Sequence, residues 1–194
     1  TLAGGSAILL LVLTMIASII LGLPLPPVTC YLILAVLAAP ALIKAGIHPM
    51  AAHLFVFFFG TLGNISPPVA PTSFAAAGIA GSDPVRTTNL AFLISLPVWL
   101  VPYLFVYSTE ILLMGQLEMI LLRVLTSFIA ISCMAVALQG YLLKTMGWIL
   151  RLGFFAAGLF LIYPYWVTDI IGYLLIGILI LIHVIASRAP GGVP

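Results

Sequence analysis

The stretch "LGLPLPPVTCYLIL", residues 21–34, decides how the chain folds. Gly22, Pro24, Pro26 and Pro27 crowd into a sequence that is otherwise apolar and, from Thr1 to Ile43, carries no charged side chain. A helix cannot run through such a knot, because proline offers no amide donor and its ring collides with the preceding turn. A second interruption follows at "GTLGNISPPVAPTS", residues 60–73. Two helix breaks sit in sequence greasy enough for a bilayer.

That setting is fixed by composition. The chain of 194 residues is 64% hydrophobic and 5% charged, with a mean hydropathy of +1.38. Soluble domains carry about 25% charged residues, so a water-soluble globule is excluded and an all-α integral membrane protein is expected. The N-terminal apolar run lacks a basic start and continues directly into more apolar sequence, so it does not read as a signal peptide. The chain is read as a piece of a longer protein. Its six basic residues are scattered singly, which gives no nucleic-acid surface. Cys30 and Cys133 each lie inside an apolar run and read as small buried hydrophobes rather than a disulfide.

Charges, prolines and glycines divide the chain. Leu2–Leu21 and Val28–Ile43 flank the first knot, and "KAGIHP", residues 44–49, is a turn. Met50–Leu62 and Val69–Ala80 flank the second break. Ser82 or Asp83 can cap the helix that Pro84 opens, leading into a span at Thr87–Ser108. Val124–Leu143 is a further span, with Arg123 at its mouth, placed to snorkel. Leu152–Thr168 and Ile170–Ser187 form an antiparallel pair, with Thr168 or Asp169 as a cap and Tyr163, Tyr165 and Trp166 at an interface. The tail "RAPGGVP", residues 188–194, is expected to fray.

A crossing needs about 20 helical residues. Met50–Leu62 and Val69–Ala80 are each too short, so the pair reads as one interrupted crossing. Bare backbone groups at such a break are costly against lipid and persist only where protein or a polar cavity satisfies them. Paired interrupted helices point to the binding site of a secondary transporter. The alternative is a set of ordinary proline kinks. Topology is contested: one crossing over 49–81 puts Arg86, Lys144, Arg151 and Arg188 on one side and Lys44 and Arg123 on the other. Two crossings bring Lys44 to the majority side, which the positive-inside bias favours; the helix lengths favour one.

Residues 20–87, "ILGLPLPPVTCYLILAVLAAPALIKAGIHPMAAHLFVFFFGTLGNISPPVAPTSFAAAGIAGSDPVRT", resemble the large permease subunit of tripartite ATP-independent periplasmic (TRAP) transporters, closest to the fused branch that serves TAXI-type binding proteins. Gly22, Leu25, Pro26 and Tyr31 match the first family motif; Pro24 replaces a glycine, and Pro27 and Val28 replace two threonines. Ser66-Pro67-Pro68-Val69 matches the second motif, and Phe74–Pro84 follows the family. Leu161–Gly172 is similar to part of the C-terminal extension of the fused permeases.

The resemblance implies a sodium-coupled, elevator-type symporter in a bacterial inner membrane, importing an organic acid delivered by a periplasmic solute-binding protein. Of the family's two inverted repeats, each a re-entrant hairpin followed by an interrupted helix, this chain is similar to the second. Residues 1–115 would be the transport region, with hairpin 2–43, interrupted helix 49–81 and span 87–108. Residues 116–194 would be an extension of about three transmembrane helices. The first repeat and small-subunit helices would lie upstream as partners. No cofactor is expected, only Na⁺ as coupling ion.

By the same resemblance the cation would be held by Gly22, Leu25, Pro26, Thr29, Gly63, Ser66 and Pro67, mostly through backbone oxygens, and the substrate by Thr29, Asn64, Thr72 and Ser73. The chemistry is consistent: glycine permits the dihedrals of unwound backbone, prolines at 26, 67 and 68 keep the helix from closing over its carbonyls, and the half-helices restarting at Val28 and Val69 turn positive ends toward a carboxylate. Other residues read as structural. His48 and His53 are spaced five apart rather than the four of a helical metal pair; His183 reads as interfacial or structural. Glu110 and Glu118 fall in a polar connection, and Phe57–Phe59 reads as packing. A scaffolding membrane module without a transport site is the alternative function. An intramembrane enzyme or channel is disfavoured, because ionisable groups at depth would be needed and the acidic residues fall at segment ends.

Overall fold

The computed structural model describes residues 6–188, so Leu2–Gly5 of the first apolar run and the tail beyond Arg188 lie outside the described residues. The chain divides into two compact units, Thr1–Ser95 and Leu96–Pro194. Among the described residues the regular structure is helical.

In the first unit, α1 (Ala7–Gly22) is opened by Ser6, whose side chain accepts from the Leu9 amide at 3.4 Å. It stops where the sequence requires: the helical partners of the Gly22 and Leu23 carbonyls would be the amides of residues 26 and 27, both prolines. Helix α2 (Pro27–Leu37) starts with proline at its first position, where a missing donor costs nothing. It passes through a bend at Ala38 into α3 (Ala39–Lys44). Pro40 explains the bend, since it cannot donate to Val36. Taken together, Pro27–Lys44 is 18 residues and long enough to cross a membrane, slightly longer than the sequence boundaries implied.

Helix α4 (Pro49–Leu62) is capped by His48, whose Nδ1 accepts from the Met50 amide at 3.3 Å. A 3₁₀ turn, Gly63–Ile65, follows. The chain resumes helix only at α5 (Pro71–Ala80), two residues later than the expected restart at Val69. The reason is Pro71, which disfavours the α region for the residue before it; Ala70 adopts φ 42° instead. Gly81, at φ 62°, ends α5 in the left-handed conformation that favours glycine. Asp83 then caps α6 (Pro84–Ser95), its Oδ1 accepting from the Arg86 amide at 2.7 Å. Of the two expected caps, Ser82 and Asp83, it is the second.

Helices α1 and α2 both pack on α4. Lipid tails are as apolar as leucine, so close fit rather than hydrophobic transfer must hold these helices together. Small residues supply that fit: Ala51 and Ala52 are fully buried on α4, beside Phe55 and Phe59, whose rings meet edge to face at 4.9 Å. Large apolar side chains such as Ile8, Val28, Val36 and Ile79 point outward, as a lipid-facing surface requires.

In the second unit a 3₁₀ segment (Leu96–Leu100), α7 (Val101–Tyr107) and a 3₁₀ turn (Thr109–Leu112) precede α8 (Leu117–Gln139), α9 (Trp148–Ile162) and α10 (Trp166–Arg188). Pro97 and Pro102 account for the irregular helix over 84–107. Helix α8 begins seven residues before the expected Val124, so Glu118 stands in its first turn rather than in a connection, and Arg123 lies inside the helix. It also ends earlier, at Gly140 with φ 69°. Arg151 binds this end, donating from Nε to the Ala137 carbonyl at 2.8 Å and from Nη2 to that of Leu138 at 2.7 Å, while its guanidinium stacks over Trp148.

Arg123 does not snorkel. Its Nη1 lies 2.8 Å from Asp169 Oδ2, both side chains largely buried. One turn further along both helices, Thr126 and Tyr173 share a hydrogen bond of 2.7 Å. Thr168 and Asp169 are not caps either: α10 starts at Trp166, and Thr168 Oγ1 donates to the carbonyls of Tyr163 and Tyr165. Four helical stretches, Pro27–Lys44, Pro84–Tyr107, Leu117–Gln139 and Trp166–Ile185, are long and apolar enough to cross a membrane. Helix α9, at 15 residues, is shorter than the span expected there.

Candidate functional site

The first unit brings the two breaks against each other. A methyl group built on Gly22 would sit on the Gly60 carbonyl oxygen, 2.8 Å from its carbon and 3.0 Å from the Gly60 Cα. One built on Gly63 would lie 2.7 Å from the Gly22 carbonyl carbon and 2.9 Å from the Ile19 oxygen. Backbone touches backbone here. The close approach, rather than an unusual dihedral, is what demands glycine: Gly63 itself keeps a right-handed helical conformation, φ −54° and ψ −35°. Cys30, on α2, packs its sulfur on the other side of Gly60. It is a buried free thiol, as is Cys133.

Around this contact the polar groups fall into two classes. Ser66 is buried, and its hydroxyl donates to the Leu62 carbonyl at 2.7 Å. That bond satisfies a carbonyl at the end of α4 and leaves the Ser66 oxygen lone pairs available. By contrast Asn64 Nδ2 and Ser73 Oγ are buried without a hydrogen bond. An unpaired buried polar group costs about 1–3 kcal/mol, so each is a group with capacity for a guest. Thr29 and Thr72 are exposed. Pro26 and Pro67 are exposed and Leu25 half-buried, contributing backbone shape rather than side-chain ligands.

The helix N-termini at the two breaks lack side-chain caps, as do those of α3, α7, α8 and α9. Ser6, His48 and Asp83 each accept from an amide of the first turn of α1, α4 and α6. Helix α2 begins after Pro26 and α5 after Ala70, and neither has a side-chain cap. Their first-turn amides therefore keep their donor capacity, and the helix dipole favours negative charge there.

Sequence reading missed two residues of similar character. Ser18 on α1 and Thr88 on α6 are buried, and their hydroxyls make no hydrogen bond. Nothing local in the sequence separates Ser18 from the other small residues of α1; only its i, i+4 spacing from Gly22 marks its face. A separate cleft of about 400 Å³ is lined by Tyr31, Met50, His53, Leu54 and Phe57, none of them a break residue. In it the Tyr31 hydroxyl and His53 Nδ1 are 3.2 Å apart, which gives His53 a partner on α2. Phe57 lines this cleft while Phe59 is buried in the packing core, so the phenylalanine run is divided between the two.

A helical membrane protein with two abutting helix interruptions, uncapped helix starts and unpaired buried donors has the parts of a solute-transport site. The chain belongs to the DctM family: the profile of the tripartite ATP-independent periplasmic transporter, DctM component, matches residues 1–120. It is a permease component of that transporter class. No curated protein and no solved structure matches the chain.

Proposed function

We propose that the chain is the second-repeat part of a sodium-coupled TRAP permease of the fused TAXI-type branch, importing an organic acid handed over by a periplasmic binding protein. The observation that carries this reading is the backbone contact of Gly22 with Gly60 and Gly63. It makes one polar locus of two interruptions that lie some forty residues apart in sequence.

The chemistry divides between the two partners of a symport. Carbonyls without helical partners at Gly22 and Leu23, with the oxygen of Ser66, suit a small cation. The uncapped starts of α2 and α5, with Asn64 and Ser73, suit a carboxylate. Both guests are held without a charged side chain, so an occupied site carries little net charge through the bilayer. The hairpin 7–44 and the interrupted helix 49–80 would move as one block against the remaining helices, carrying the site from one face of the membrane to the other.

The test is uptake into proteoliposomes by the complete permease with its binding protein loaded with a radiolabelled organic acid. Uptake should require an inward sodium gradient. Ser66→Ala or Thr29→Ala should lower sodium-dependent uptake more than it lowers expression. Uptake that ignores sodium and follows a proton gradient would overturn the coupling-ion assignment.

A further inference from the structure

Ser18 is fully buried, at 0% exposure, yet its Oγ makes no hydrogen bond. Ser73 and Thr88 share this state, whereas several other hydroxyls of the protein return to the main chain. Thr61, Ser66 and Ser132 each return their hydroxyl to the carbonyl four residues back, and Ser95 to that three back. Helical serines ordinarily do this when nothing better is offered. The position of Ser18 is equally specific. It lies one turn before Gly22, and residues four apart share a helix face. The buried residues of α1, Leu11, Thr14, Ser18 and Gly22, mark that face. Gly22 meets the backbone of Gly60 and Gly63, so the Ser18 hydroxyl is carried on the face turned toward the interrupted helix.

The 3₁₀ turn packs against both α1 and α5. It bears Asn64, and α5 bears Ser73, whose unpaired Nδ2 and Oγ are 8% and 4% exposed residues' groups. Three elements thus present three buried groups able to donate a hydrogen bond, two hydroxyls and an amide. A set of donors is the complement of an oxyanion.

We propose that Ser18 is a further substrate-binding and specificity-determining residue of the permease, its hydroxyl donating to a carboxylate oxygen of the cargo. This rests on the carboxylate reading of the preceding subsection and adds a residue from the first arm of the hairpin, below its tip. A hydroxyl there would make the site select for the number and placement of cargo oxygens, which the helix N-termini alone do not.

The experiment is a thermal-unfolding series on the complete permease purified in detergent. Choline salts of acetate, pyruvate, succinate, glutarate and glutamate are compared with choline chloride, and sodium chloride is run as a separate arm. At least one carboxylate should raise the melting temperature of the wild type. Ser18→Ala should weaken its apparent affinity by about tenfold, the loss of one hydrogen bond to a charged group. Ser18→Thr should retain it, as should the control Ser132→Ala on α8.

Without ligand, Ser18→Ala should melt no lower than wild type, because it removes an unpaired hydroxyl; Ser18→Cys provides a second replacement of similar size. A lower melting temperature for both replacements, with the carboxylate response intact, would make Ser18 a packing residue and overturn the proposal. A carboxylate response unchanged in Ser18→Ala would overturn it while leaving the carboxylate reading in place. Loss of the sodium response alone would make Ser18 a cation ligand and also overturn it. If no carboxylate moves the wild type, the carboxylate reading and the proposal fall together.

Discussion

Gly22→Ala is the sharpest perturbation of the fold available. The added methyl would meet Gly60 at its carbonyl oxygen, with the carbonyl carbon at 2.8 Å and the Cα at 3.0 Å. Ordinary carbon–carbon contact begins near about 3.5 Å. Every obstructing atom is backbone, so no rotamer change relieves the clash and α1 must move away from α4. Overpacking a well-filled site costs about 1–3 kcal/mol. Here the separation also loosens the contact with Gly63, so the upper end, about 3 kcal/mol, is expected. Gly78→Ala on α5 is the counterpart: nothing lies near its Cβ position, and the gain in helix propensity is up to about 1 kcal/mol. Thermal unfolding in detergent and uptake in proteoliposomes read the two effects. Gly22→Ala should lower the melting temperature and abolish transport, whereas Gly78→Ala should leave folding intact or improved. A Gly22→Ala permease with wild-type stability and uptake would refute the abutting-break geometry.

Three further outcomes follow from the second unit. Removing one partner of the buried Arg123–Asp169 pair, as Arg123→Ala or Asp169→Ala, should destabilise by about 3–5 kcal/mol in the melting assay, whereas Arg123→Met with Asp169→Leu should recover most of that loss. Arg151→Ala should destabilise by about 1–3 kcal/mol, because it frees the Ala137 and Leu138 carbonyls at the end of α8. The Glu110 carboxyl is held below its ordinary value chiefly by the Ser108 hydroxyl, which donates to it at 2.7 Å, with Arg123 adding a smaller pull. A lowered folded value means stability present above the unfolded pKa, near 4.5, and lost as pH falls through the folded one. Ser108→Ala should therefore shift the acid-unfolding midpoint of the permease to higher pH.

The breaks were legible because proline and glycine act locally. Pro26 and Pro27 deprive the Gly22 and Leu23 carbonyls of their helical partners whatever the tertiary context. The Asp83–Pro84 helix start was legible for the same reason. What escaped was of two kinds. Pro71 governs the conformation of the residue before it, so α5 restarts beyond the apolar boundary at Val69. The other kind is contact between distant positions: Arg123 and Asp169 are 46 residues apart, and a lone arginine in an apolar run reads as a snorkelling residue until its partner is seen. Ser18 escaped similarly. Its unpaired hydroxyl is a property of its surroundings, and the sequence of α1 offers other small residues on other faces.

The most direct measurement is a cryo-electron microscopy map of the complete permease in saturating sodium and cargo, at a resolution that shows bound ions. Ion density should lie against the Gly22 and Leu23 carbonyls and the Ser66 oxygen, with cargo density beside Asn64 and Ser73. Density confined to the Tyr31–His53 cleft, with the contact between the breaks closed and empty, would contradict it.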